Sequence, residues 1–104
     1  MEDKSYRLRF LPLFEQDLYD TVDYIIYKLE NPNAAAALAD AIEGAIYKRL
    51  ECPESFEPYH SKRERCYPYY RIYVKKYVVY YVVIDDVMEV RRLLYNRRNV
   101  KEQI

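Results

Sequence analysis

The sequence predicts an α+β fold of two layers, a helical hairpin packed on one face of an antiparallel sheet, in the order β-α-α-β-β-β. Three observations predict it. Apolar residues recur at three- and four-residue steps through 12–29 and again through 32–50, the period of helices that bury one side. The stretch from 69 to 95 is instead dense in Tyr and Val and broken only by Lys75-Lys76 and Asp85-Asp86, as consecutive short-turned strands would be. A short alternating segment precedes both. Elements of this kind bury their apolar faces by stacking in layers.

The elements follow in order. In 5–11, Tyr6, Leu8 and Phe10 fall on one face and Arg7 and Arg9 on the other, as in a half-buried strand. Pro12 ends that strand and suits the first turn of a helix. Phe14, Leu18, Val22, Ile25 and Leu29 then form an apolar stripe of about 17 residues, with Glu15, Asp17, Asp20 and Asp23 toward the end where the helix dipole favours acids. Asn31-Pro32-Asn33 breaks the helix and starts the next, Asn as cap and Pro at the first position. The second stripe is Ala35, Leu38, Ile42, Ile46 and Leu50. A connection this short folds two helices back as an antiparallel hairpin. Alanines at 34–37, 39, 41 and 45, with Gly44, predict close approach of the backbones, since a mid-helix Gly otherwise costs about 1 kcal/mol.

Pro53, Pro58 and Pro68 mark 52–68 as loop, with a short edge strand near 62–66. Residues 69–75 read as a strand. Lys75-Lys76 forms a tight turn without the Gly or Asn that hairpins favour. The unbroken apolar run 77–84 predicts a central strand covered on both faces. Asp85-Asp86 is the next turn, 87–95 the last long strand, and 96–104 a basic tail.

Length and composition bound the function. With 104 residues, 1–104 is expected to be a single domain. The hydrophobic fraction is 51% while mean hydropathy is −0.50, a combination that fourteen amphipathic Tyr explain. No run of about 18 uncharged apolar residues exists, so no membrane span is expected. The opening Met1-Glu2-Asp3-Lys4 lacks a signal-peptide layout, and the expected location is cytoplasmic. Cys52, Cys66 and His60 are too few for a zinc site, so no metal or cofactor is expected. The two cysteines read as reduced thiols, and His60 as a solvent-facing loop residue.

The net charge of zero hides two halves. Residues 12–51 carry eight acids and three bases, net −5, whereas 60–101 carry eleven bases and four acids, net +7. Seven Tyr fall between 67 and 81, among Arg71, Lys75 and Lys76. Cations among aromatics can grip phosphates and stack bases, although Tyr in strands also serves as core. On this ground Tyr73, Lys75, Arg92 and Tyr95 are the candidates for contact with a target or RNA. The acidic hairpin disfavours a helix-turn-helix reading, because a recognition helix must approach phosphates.

At the level of motifs the chain resembles the RelE/ParE superfamily of toxins from type II toxin–antitoxin systems. The resemblance is carried by Phe14-Glu15-Gln16-Asp17-Leu18, Asp23-Tyr24-Ile25, Asn31-Pro32 with the Ala-rich second helix, and Ile42-Glu43-Gly44-Ala45-Ile46. It continues through Pro53-Glu54-Ser55-Phe56, Tyr70-Arg71-Ile72 and Tyr77-Val78-Val79-Tyr80, and ends at Val90–Arg98. It implies a RelE-like fold with the first strand beside the last. It also implies a small cytoplasmic toxin of the plasmid-stabilisation type, neutralised by a cognate antitoxin and reaching operator DNA only through it. The complete helical hairpin resembles the ParE branch, so inhibition of DNA gyrase is the first expectation. RelE-like, ribosome-dependent and metal-independent cleavage of mRNA is the alternative. A degenerate toxin that only binds its antitoxin is the third.

For cleavage, the resemblance places basic residues on the strand at 69–75, on the next strand after its Tyr, and at the C-terminal exit, with a Tyr beyond. Arg71 matches the first position and Arg97 or Arg98 the third. The second departs, since Val78 follows Tyr77, and the final Tyr is absent, with Tyr95 an earlier substitute. Attack by a 2′-hydroxyl needs a base, cations for the phosphate charge and an acid for the leaving oxygen. Arg71, Arg97 and Arg98 would supply the charge. Tyr and Arg titrate far above neutrality, so neither is a ready base, and the cleavage machinery reads as incomplete, with His60 a candidate to complete it.

Overall fold

A computed structural model describes residues 5–58 and 67–96. Strand β1 (Arg7–Phe10) leads into helix α1 (Pro12–Asp23), which continues through one π-helical turn at Tyr24–Lys28. Helix α2 (Pro32–Arg49) follows, then strands β2 (Tyr70–Val74), β3 (Tyr77–Ile84) and β4 (Val87–Tyr95). The expected edge strand at 62–66 and the tail from 97 onward lie outside the described residues.

Pro12 opens α1 as expected, and the ladder runs into it: Leu11 N–H donates to the Val90 carbonyl, and the Leu11 carbonyl accepts Glu15 N–H. At α2 the Asn31 side chain accepts Ala34 N–H at 3.1 Å, satisfying a donor the helix itself cannot. Gly44 has a different setting from the one expected. It is exposed, and a Cβ there would meet nothing within 4 Å, so no close packing calls for its missing side chain. The buried small residue of the hairpin is Ala35.

The sheet order is β1-β4-β3-β2, which places the first strand beside the last. The strands joined by two-residue turns, β2-β3-β4, are antiparallel, whereas β1 runs parallel to β4. No local turn fixes the sense of that pair, because most of the chain separates its members. One face of the sheet meets the helices: Ile72, Val74, Val79, Tyr81, Met88, Val90 and Leu93 pack with Phe14, Leu38, Ile42 and Ile46. The other face buries a second cluster of Tyr69, Val78, Tyr80 and Val82. The central strand is therefore covered on both sides, and Val78 to Val82 are 0–1% exposed. Burial of that order contributes roughly 1.5–3 kcal/mol for each large apolar side chain.

Candidate functional site

The face of the sheet turned away from the helices carries the charge. On β2, Arg71 and Tyr73 alternate with the core residues Tyr70, Ile72 and Val74. In register, Arg71 stands opposite Tyr80, and Tyr80 stands opposite Arg92 of β4. Two candidates from distant parts of the sequence thus flank one buried tyrosine. Tyr73 is 58% exposed, and the Arg71 guanidinium lies 5.7 Å from its ring centre. On β1, Arg7 and Arg9 occupy the same face, opposite Val87 and Glu89.

A β-bulge sets the β4 contribution. Tyr80 pairs with Arg92 and Tyr81 with Val90, so Arg91 is the extra residue. Strict alternation would drive one of two consecutive arginines into the core. The bulge lets Val90 and Leu93 both reach the core while Arg91 and Arg92 stay outside it. The apolar spacing 88, 90, 93 is the sequence signal for it.

Most of these arginines are tied down. Arg7 meets Asp86 at 3.0 Å. Glu89, 5% exposed, accepts Arg9 Nε at 2.8 Å, a second bond from Arg9 Nη2, and Arg91 Nε at 2.9 Å. Burial works to raise the Glu89 pKa, but the bonds from Arg9 and Arg91 outweigh it and hold the carboxyl below its ordinary value. Arg92 donates Nε to Asp17 Oδ2 at 2.8 Å and Nη2 to Oδ1 at 3.2 Å, and the hydrogen bond to Asp17 raises its pKa. Asp17 Oδ2 also accepts Leu93 N–H at 3.0 Å. Because β1 ends opposite Val90, β4 has no strand partner there, and the carboxylate of α1 takes its place.

Arg49 anchors the segment after α2. Its Nη1 donates to the Arg71 carbonyl and to Tyr81 Oη, its guanidinium lies 3.5 Å over the Phe56 ring, and Tyr81 Oη donates to the Pro53 carbonyl. Neither Arg49 nor Asp17 stood out in the sequence, where both are ordinary charges on helices.

Lys75 and Tyr95 belong elsewhere. They border a cleft of about 840 Å³ between the helical hairpin and the β2–β3 turn, on the helix side of the sheet. Tyr77 and Tyr95 meet there edge to face at 5.5 Å. Burial, followed by the neighbouring Tyr95 and Tyr24, raises the Tyr77 pKa. His60, Cys66, Arg97 and Arg98 lie outside the described residues, so Arg71 is the one cleavage candidate with a described place. Cys52 carries a free, exposed thiol. Among the described residues no three His, Cys, Asp or Glu side chains converge on a metal site, and no helix is long and apolar enough to cross a membrane.

A helical hairpin on one face of a four-strand mixed sheet, with arginines and tyrosines on the other, defines a small α+β protein whose sheet presents a basic surface. Comparison with known proteins gives the family. The model for the ParE toxin of type II toxin–antitoxin systems, parDE, matches residues 8–100. The chain belongs to the ParE toxin family. A solved chain of the chromosomal ParDE toxin–antitoxin system from P. aeruginosa is similar in fold, with TM-score 0.74 and 12% identity over 88% of this chain and 97% of that one. None of the curated proteins matches the sequence.

Proposed function

We propose that this chain is the toxin of a type II pair, acts in the cytoplasm, and arrests growth by inhibiting DNA gyrase until a cognate antitoxin neutralises it. Family membership supports the toxin role. The observation that carries gyrase over mRNA cleavage is Val78. It stands where the nuclease branch places a cation, and it is 1% exposed, packed with Tyr69, Tyr80 and Val82. A cation at that position would have to be buried in an apolar cluster, so the second charge needed around a cleaved phosphate has no place there. The outer face, with Arg71 and Tyr73 foremost, is the working surface for the target.

The test is induction of the chain without its antitoxin. Growth should stop, plasmid DNA should lose negative supercoils, and mRNA should remain uncut. New codon-phased mRNA 5′ ends with normal supercoiling would replace this reading with ribosome-dependent cleavage. Normal growth with confirmed folded protein would leave only antitoxin binding.

A further inference from the structure

Arg71 reaches the outer face from the last strand of the sheet order, and among the described strands β2 has only β3 beside it. Such a strand is held from one side, and a slip of one residue would turn Arg71 and Tyr73 toward the core. Tyr70, Ile72 and Val74 oppose the slip from within the core. A second restraint acts on the main chain of Arg71 itself, whose carbonyl accepts Arg49 Nη1 at 3.1 Å.

Arg49 is in turn fixed on several sides. It stands in the last turn of α2. Tyr81 Oη accepts a second bond from its Nη1 at 3.0 Å and donates to the Pro53 carbonyl at 2.7 Å. The Phe56 ring lies against the guanidinium, its centre 3.5 Å away. The segment that carries Phe56 is tied down as well: Pro53 is fully buried, and Glu54 accepts the Tyr6 hydroxyl at 2.7 Å. The helix dipole accounts for a cation at the end of α2, but not for this setting. Bonding two oxygens while lying flat on a ring requires a planar fork, which a lysine lacks.

We propose that Arg49, clamped by Phe56, is the positioning residue for Arg71. It holds the main chain of β2 so that the Arg71 guanidinium meets the target in one orientation. A side chain ordered beforehand loses less freedom on binding. The inference rests on the gyrase reading given above, with the outer face as the working surface.

The test titrates purified full-length variants into a supercoiling assay with DNA gyrase and measures the Tm of each. Phe56 is 46% exposed, so Phe56→Leu should keep its Tm within a few degrees of the wild type. It removes the face that holds Arg49 and should raise the half-inhibitory concentration about fivefold. Phe56→Tyr keeps that face and should inhibit like the wild type. Arg49→Lys should lose about tenfold in inhibition, and Phe56→Leu added to it should lose little more. Tyr81→Phe is the control for stability. It deletes a buried hydroxyl and should lower Tm, yet it leaves Arg49 on the Arg71 carbonyl and on Phe56, so inhibition should hold. If the wild type inhibits and Phe56→Leu and Arg49→Lys inhibit equally well, the positioning role is wrong and the gyrase reading stands. Equal loss in Tyr81→Phe would assign the effect to stability and overturn it. So would a full effect of Phe56→Leu on top of Arg49→Lys, which would put Phe56 in direct contact with gyrase. If the wild type leaves gyrase active, both the reading and the inference fall.

Discussion

Asp17 shows how much one side chain can organise. Its carboxylate closes the unpaired edge of β4 at Leu93 N–H and fixes Arg92 beside the bulge. Hydrogen bonds to charged groups contribute about 1.5–3 kcal/mol, so Asp17→Ala should cost about 2–3 kcal/mol in urea unfolding. Asp17→Asn keeps an oxygen for Leu93 N–H and should cost about half as much. Equal stability of both variants with the wild type would show that the bulge holds itself. The sequence marks Asp17 only as one of four acids early in a helix, where the dipole alone accounts for it. Its true partners lie 75 and 76 residues away, and no local pattern encodes that distance. The consecutive Arg91 and Arg92 were legible as a basic feature. Their joint placement outside the core was not, because it depends on a bulge whose only trace is the three-residue step from Val90 to Leu93.

Elements were far more legible than side-chain partners, for a physical reason. A helix or strand that buries one face must repeat its apolar residues at its own period, so Phe14 to Leu29, Ala35 to Leu50 and 77–84 announced themselves. Deviations within an element leave no such trace. The π turn at Tyr24–Lys28 sits inside an unbroken apolar stripe, and Gly44 invited a packing explanation that its open surroundings remove. That openness makes a prediction. An exposed glycine in the middle of an eighteen-residue helix retains only its propensity cost and the entropy of its unfolded state. Gly44→Ala should therefore stabilise the protein by about 1 kcal/mol, read as a higher denaturation midpoint with an unchanged slope. A loss of stability would mean that Gly44 answers to something other than the fold of this chain.

At the scale of the whole molecule, the split between a hairpin of −5 and a sheet half of +7 becomes an arrangement of faces rather than two charged halves. Asp17 and Arg92 link the two layers, Glu89 holds arginines from β1 and β4, and Asp86 holds Arg7. The outer face is consequently less positive than the count suggests, and on β2 the Arg71 guanidinium lies beside the ring of an exposed Tyr73. Arg71→Glu combined with Tyr73→Ala replaces two surface-facing side chains at the sheet edge and leaves the core residues Tyr70, Ile72 and Val74 in place. The double variant should fold with a Tm within a few degrees of the wild type and lose growth arrest on induction. Colony counts and thermal unfolding read the two effects independently. Full toxicity in a folded double variant would remove the outer face from the mechanism.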